Sequence, residues 1–209
     1  PTSSEQYIES LDRCFVINAY QVGEKRFATI FTDVTERRRA ENVLNIQHET
    51  SNKLNTTITL RDAADIILDG AMQLGGFDCG GVYIFNPEDQ TLTLAAHKGL
   101  SQNFVSGVSR YYSSSSRLRV AIKGQILYQN YTDISAPDYN DLADEGLRSF
   151  AAIPIINPDG LVAVLNLAFR NKDAVPEWLR EPLESFALQT GNALTRIIAM
   201  QKMHENEQF

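Results

Sequence analysis

The sequence predicts an α+β fold: a central antiparallel sheet with terminal helices on one face, preceded by a β-hairpin and a long connecting helix. Three observations carry it. FAAIPIIN (150–157) and GLVAVLNLAFRN (160–171) are strand-like runs joined by Asn157-Pro158-Asp159-Gly160, where Pro and Gly suit a tight reversal. Both runs are apolar on both faces, so they belong in the middle of a sheet that is covered on both sides. TLRDAADIILDGAMQLGG (59–76) and the stretch 176–202 repeat their apolar residues at helical spacing. Finally, FATIF (27–31) runs through Thr-Asp-Val-Thr-Glu straight into Arg37, Arg38 and Arg39, which sets a strand and a helix ahead of the sheet.

Taken in order, LDRCFVINAY (11–20) alternates, QVGEKR turns, and RFATIFTDV (26–34) follows as the second strand of a hairpin. These are the only strand-like stretches before the first helix, and a lone two-stranded hairpin is marginal in water. Thr32, Asp33 or Thr35 caps that helix, with Glu36 in its first turn. Residues 36–57 contain neither Pro nor Gly. Their apolar residues are sparse (Ala40, Val43, Leu44, Ile46, Leu54), as expected of a connector of roughly 30 Å rather than a core helix.

The helix over 59–76 presents Leu60, Ala63, Ala64, Ile67, Leu68, Ala71, Met72 and Leu74 on one wide face, and Gly75-Gly76 ends it. FDCGGVYIFN (77–86) and TLTLAAHKGL (91–100) form a hairpin about a PEDQ turn. SQNFVSGVS (101–109) is expected as a short helix, YYSSSS (111–116) as a mobile loop and RLRVAIKGQ (117–125) as another short helix. ILYQNYTDI (126–134) reads as a strand and SAPDYNDLADEG (135–146) as a loop with a helical turn. In the last helix Pro182 falls near the first turn, where a missing N–H matters least.

At 209 residues with 43% hydrophobic and 22% charged residues, the chain has the composition of an ordinary globular protein with room for one domain and a fragment. A net charge of −7 argues against nucleic acid as the main partner, since phosphate binding needs a basic surface. Arg37–Arg39 is then a solvated helix face. Cys14 and Cys79 have neither disulfide nor metal spacing, which fits a reducing, cytoplasmic setting. No apolar run is long enough to span a membrane. The opening PTSSEQ lacks an initiator Met and a signal-peptide pattern, as expected of a segment cut from a longer protein.

Asp33-Val34-Thr35-Glu36-Arg37 resembles the motif through which the last strand of a PAS domain enters a signalling helix, and LDRCFVINAY resembles the strand before it. The resemblance implies that residues 1–36 are the C-terminal remnant of a PAS domain, with 37–58 a helical connector. TLRDAADIILDGAMQLGGFDCGGVYIFN, the AAHKGL strand end, the FAAIPIINPDGLVAVLNLAF hairpin and the ESFALQTGNAL helix resemble a GAF domain, placed at 59–200, with 201–209 a helical tail. GAF domains are small-molecule sensors and dimerisation modules, and a PAS–GAF order with an Arg-rich helix most resembles sensory histidine kinases. The implied function is a non-enzymatic, two-component-type sensor segment that binds a small molecule or partner and relays the change through dimeric helices. Function within such a fold must still be argued from the site.

Several family chemistries are not expected. Asn171-Lys172 stands where cyclic-nucleotide-binding GAF domains carry Asn-Lys, but AVPEW (174–178) replaces the following Phe and no Asp-Glu pair appears. Cys79 precedes Gly80 rather than the His that follows a bilin-linking cysteine. With Cys79 alone in this part of the chain, no disulfide can close a methionine-sulfoxide-reducing cycle. His48-Glu49 resembles a kinase phosphoacceptor pair but lacks the Arg-Thr-Pro after it, so His48 is expected to be solvated. No catalytic residue and no metal ligand is assigned.

The expected ligand site is built from Tyr83, Phe104, Tyr111, Tyr112, Tyr139 and Asn166, aromatic or polar residues on the sheet and the segments above it. The aromatics either line a cavity or fill it, and Asn166 either binds ligand or bonds nearby backbone. The alternative is a haem- or redox-sensing domain using Cys79 with His97 on the neighbouring strand, against a Cys79 that is a small buried apolar residue. A homodimer through the connector and the last helix is expected, because Leu183, Phe186, Leu194, Ile197 and Ile198 make a wider apolar face than one sheet needs.

Overall fold

Residues 2–24, 26–130 and 145–206 are described by the computed structural model, and the chain divides into two units, Pro1–Asn45 and Ile46–Phe209. The first unit holds β1 (Thr2–Ile8), β2 (Arg13–Gly23) and β3 (Arg26–Asp33), antiparallel in the order β1-β2-β3, and the start of α1 (Thr35–Thr56). A three-stranded sheet thus replaces the expected hairpin. The added strand, TSSEQYI, has only Tyr7 and Ile8 as large apolar residues and is exposed over most of its length. It carries no hydrophobic alternation to betray it; backbone pairing with β2 makes it a strand.

The strand-to-helix junction explains the Asp-Val-Thr-Glu-Arg pattern physically. Asp33 Oδ1 accepts from Thr35 N–H at 3.0 Å and from the Thr35 hydroxyl at 2.6 Å. Thr35 Oγ1 in turn accepts from Cys14 N–H at 3.0 Å, and Val34 N–H donates to Cys14 O at 2.9 Å. The helix start is therefore tied to β2 as well as capped. Thr35's two hydrogen bonds, helped by Arg13, hold the Asp33 carboxyl down to about 2. Arg38 pairs with Glu5 of β1, and Arg39 reaches Asp12 at 2.7 Å, so the arginines are more than a solvated face. Being exposed, such pairs contribute little to stability.

In the second unit α1 continues past Ile46 and is followed by α2 (Leu60–Gly75), β4 (Cys79–Asn86), β5 (Thr91–Lys98) and α3 (Gln102–Val108). Next come β6 (Arg110–Tyr111), α4 (Ser116–Ile122), β7 (Leu127–Asn130), β8 (Ser149–Asn157), β9 (Gly160–Phe169) and α5 (Glu177–Asn206). The six strands form one antiparallel sheet in the order β6-β5-β4-β9-β8-β7. The anticipated hairpin of β8 and β9 lies inside it, its turn closed by Asp159 N–H donating to Asn157 Oδ1 at 2.8 Å.

α2 and α5 cover one face. Thr59 caps α2 by accepting from Asp62 N–H, and Gly76 ends it at φ 63°, a left-handed conformation in which a side chain is strained. Ala63, Ala64, Ile67, Leu68, Leu179, Leu183, Phe186, Leu194 and Ile197 are all buried. This corrects the expected dimer face: four of its five residues are used inside the chain, and only Ile198 is partly exposed. The sequence underestimated the demand because α5 covers α1 and α2 as well as the sheet.

The connector is likewise half core. Ile46, Thr50 and Leu54, one stripe at four-residue spacing, are buried, whereas Leu44 is exposed. Arg196 of α5 donates to Leu54 O at 2.8 Å, satisfying a carbonyl at the α1 C-terminus. His48 is exposed, as anticipated. Pro182 lies inside α5, a turn further in than expected. The strand expected over 126–134 is described as β7, ending at Asn130. The rest of it, and the loop over 135–144, lies outside the described residues.

α5 approaches β8 closely at Gly191, where an added Cβ would stand 2.6 Å from Ile156 O. A backbone atom cannot swing aside as a side-chain tip can. Gly191→Ala is therefore expected to cost about 1–3 kcal/mol, as overpacking does, and denaturant unfolding measures it. An unchanged midpoint would mean that helix and sheet are not held this close.

Candidate functional site

Strand register lays out the other face of the sheet in rows. Cys79, Ala168 and Phe150 are directly opposed across β4, β9 and β8; so are Gly81, Asn166 and Ala152, and then Tyr83, Val164 and Pro154. Opposed residues share a face, so these three rows face away from α2 and α5. The middle row places the amide of Asn166 between a glycine and an alanine, the two smallest side chains. That leaves a slot.

Packing around the slot separates into two clusters. Cys79, Leu147, Phe150 and Ala168 pack with Leu100 and Phe104 on one side. Tyr83, Leu92, Leu118, Ala121 and Val164 pack with Tyr111 and Leu94 on the other. A cavity of about 80 Å³ lies between them, lined by residues of both clusters together with Asn166 and Arg117. α3 and α4, seven residues each, form the roof with Phe104 and Ala121. The Tyr83 and Tyr111 rings meet with centroids 5.3 Å apart, and the Arg117 guanidinium stands 5.1 Å from the Tyr111 centroid and donates to its hydroxyl.

Of the residues singled out in the sequence, Tyr83, Phe104, Tyr111 and Asn166 line this cavity. Tyr112 does not: it is 57% exposed, because β6 ends at Tyr111 and the chain turns outward. Tyr139 lies outside the described residues. The serines after Tyr112 are less uniform than a loop of serines suggests. Ser115 accepts from Arg117 N–H and caps α4, and Ser116 is already helical. Arg117, Phe150, Pro154 and Leu147 line the cavity without having been anticipated. Phe150 and Pro154 share the two-residue period of Ala152, a signal hidden because β8 is apolar on both faces.

Asn166 Oδ1 is sealed from solvent and has no hydrogen-bond partner among the described residues. A buried acceptor left unpaired costs about 1–3 kcal/mol. Cys79 is fully buried, and burial pushes its thiol up to about 11, which leaves it protonated and unreactive at neutral pH. His97 is opposite Gly81 in the register, yet it is exposed and does not line the cavity. A neutral thiol, an outlying imidazole and so little space do not fit haem. No metal-holding cluster of His, Cys, Asp or Glu occurs among the described residues, and no described helix is long and apolar enough to cross a membrane.

One ionic clasp anchors the roof. The Glu145 carboxylate accepts from Ser101 N–H at 2.6 Å and from the Ser101 hydroxyl at 2.7 Å, and Ser101 caps α3. Arg170, just beyond β9, donates to Glu145 Oε1 at 3.2 Å and to Gly99 O at 2.7 Å. Burial disfavours the Glu145 carboxylate, but Ser101 and Arg170 outweigh it and hold its carboxyl below the usual 4.5. A depressed carboxyl stabilises the fold above the unfolded-state value and loses that contribution as pH falls through the folded one. The wild type is thus expected to lose stability faster than Glu145→Gln on acidification below pH 4.5, read as melting temperature against pH. Parallel curves would remove the clasp's role. Separately, Asn166→Leu is expected to raise the stability of the ligand-free protein by about 1–2 kcal/mol by removing the orphaned acceptor. A loss of that size would show the amide to be satisfied.

A family model described as GAF domain matches residues 57–195, which is most of the chain. Among solved structures, the GAF domain of a phosphoenolpyruvate-protein phosphotransferase from Coxiella burnetii has a TM-score of 0.64 at 18% identity, covering 78% of this chain and 98% of that one. A domain assigned to a two-component sensor histidine kinase of Sinorhizobium meliloti 1021 has a TM-score of 0.57 at 15% identity, covering 68% and 95%. The chromophore-binding domain of an unusual bacteriophytochrome from R. palustris has a TM-score of 0.63 at 13% identity and covers 98% of this chain and 75% of that one. At these identities the likeness speaks to fold alone. No curated protein sequence matches the chain. The family model and the sheet with its two helical layers agree, and the chain belongs to the GAF domain family.

Proposed function

We propose that the chain is a sensory signalling module whose GAF domain binds a small molecule on the sheet face away from α2 and α5. The observation that carries this reading is the Asn166 Oδ1, without a partner among the described residues, on the floor of an aromatic-walled cavity. A polar group placed in apolar surroundings at a cost is what a recognition site needs and what a packing core avoids. The cavity is smaller than the roughly 300–1,000 Å³ of typical ligand sites, so an occupant of ordinary metabolite size requires the roof to move. α3 and α4 are short and independent of the main helical layer, which suits them to that motion.

The relay runs through the long helices. Arg170 links the roof anchor Glu145 to the segment leading from β9 into α5, and Arg196 links α5 to the end of α1. A shift of the roof then biases the position of the helices, and through them a partner domain. The residues before α1 act as the closing strands of a PAS domain, a reading supported by the sheet running through the Asp33–Thr35 junction into a helix. A histidine kinase core as output, a homodimer and a cytoplasmic setting belong to the same proposal, and the segment itself carries out no catalysis.

Mass spectrometry of small molecules retained by natively purified protein tests the ligand reading. A specific retained compound whose addition slows hydrogen exchange over 110–122 is expected. Exchange that stays the same with that compound bound removes the moving roof. For the dimer, Leu188 and Met203 are the exposed apolar residues on α5 to change. Leu188→Glu with Met203→Glu is expected to halve the mass seen by light scattering; a wild-type monomer contradicts the dimer.

A further inference from the structure

Strand β3 leaves one edge of the first unit's sheet open. Among the described residues it pairs with β2 alone, in the order β1-β2-β3. Natural edge strands are short or carry a proline, a lysine or a bulge that stops a further strand from adding. β3 is eight residues long, and its centre, Phe27-Ala28-Thr29-Ile30-Phe31, has no such guard and keeps an unbroken register with β2. No described residue of β1–β3 is buried, and Phe27 and Phe31 are 77% and 62% exposed. A three-stranded sheet that buries no residue is short of the contacts a stable sheet needs. The open edge is independent of the ligand cavity and of the α5 contact.

The backbone fixes how a new strand can add. Val34 N–H donates to Cys14 O at 2.9 Å, and the register carries the same alignment on through Val16–Thr32, Asn18–Ile30 and Tyr20–Ala28. Bonded and non-bonded pairs alternate along an antiparallel ladder, so Ala28, Ile30 and Thr32 turn their N–H and C=O groups to β2. Phe27, Thr29 and Phe31 turn theirs to the open edge, and their side chains share one face with Phe15 and Ile17. The segment is also two-fold symmetric about Thr29. Turned antiparallel on itself, it sets Phe27 opposite Phe31, Ala28 opposite Ile30 and Thr29 opposite Thr29, with no like charges opposed. The neighbouring registers that keep the edge groups in phase set Phe27 opposite Asp33 or Thr29 instead.

We infer that β3 pairs with β3 of a second copy of this chain, antiparallel and centred on Thr29. The outward-facing positions then form three bonded pairs, with about six backbone hydrogen bonds between the copies. The two sheets become one of six strands, in the order β1-β2-β3-β3-β2-β1. On one face Ile17, Phe31 and Phe27 of the second copy stand in a row, and the two-fold axis repeats that row. Phe27, the most exposed large apolar residue described, is thereby covered by an aromatic ring. An unrelated strand would ask only for alternation in β3; a second copy asks for symmetry about its centre, which this segment has.

Light scattering on the full chain carrying Leu188→Glu and Met203→Glu, so that α5 does not contribute, is expected to show a dimer. Its amide exchange, resolved by NMR, is expected to be slow at Phe27, Thr29 and Phe31 as well as at Ala28 and Ile30. Adding Phe27→Lys with Phe31→Lys opposes like charges across the copies and should halve the mass. Exchange at positions 27, 29 and 31 should then quicken by at least about tenfold, while Ala28 and Ile30 stay protected by β2. Phe27→Lys with Phe31→Glu opposes unlike charges in the same register and should restore the dimer. Where fast exchange at Ala28 and Ile30 shows that a variant has lost the sheet, Thr29→Lys decides in its place. It opposes like charges on the two-fold axis, leaves both phenylalanines intact and should also halve the mass. A monomer before the lysine changes, a dimer after them, or a monomer with Phe27→Lys and Phe31→Glu in an intact sheet each overturns the inference. A monomer with slow exchange at Phe27, Thr29 and Phe31 also overturns it, and makes a segment of the same chain the occupant of the edge.

Discussion

β9 has to be covered on both faces, and the rest of the domain answers that requirement. Its run GLVAVLNLAF offers almost no polar residue to solvent, and it lies between β4 and β8 near the middle of the sheet. One face is met by two long helices whose own apolar stripes match it. Among the described residues the other has α3 and α4, short helices that cannot lay a continuous apolar surface over six strands. The uncovered remainder, centred on the single polar residue of β9, is the cavity. A cavity here is a consequence of unequal cover.

That asymmetry also explains why Asn166 is tolerated. Its neighbours in the register, Gly81 and Ala152, give the amide room but no partner. A bulkier pair would close the floor and complete a packed core on this side. Cys79 shows the opposite outcome on the neighbouring strand: packed against Phe150 and Leu147, its thiol is driven up by burial and behaves as a small hydrophobe. Two polar-capable side chains two positions apart along a pair of strands thus meet different fates through their neighbours alone.

The helices link that face to the rest of the chain. α1 begins under the control of Asp33 and Thr35 and ends under that of Arg196, each contact satisfying a helix end that would otherwise present bare donors or acceptors. Such end contacts fix where a helix starts and stops without burying much surface. A helix held by its termini and one narrow stripe slides more readily than one buried all round.

Periodicity in the sequence was enough for the elements whose environment is regular. The apolar residues of α2 repeat at helical spacing because one face contacts one layer, whereas the β8–β9 hairpin was legible as two continuous apolar runs about an Asn-Pro-Asp-Gly turn. Asn166 stood out as a polar residue in an apolar strand, and Tyr83, Phe104 and Tyr111 as aromatics near it. Tertiary structure decided the rest. β1 exists through backbone pairing that leaves no trace in side-chain pattern, and the apolar face of α5 is consumed by α1, α2 and the sheet together, which no single-helix count reveals. Arg117 joins the cavity because α4 folds over the sheet, and His97 leaves it because its side chain stays in solvent beyond Gly81. Local sequence fixes which way a residue points along its own element; which neighbours it meets depends on strand order and register, set by contacts between residues far apart in the chain.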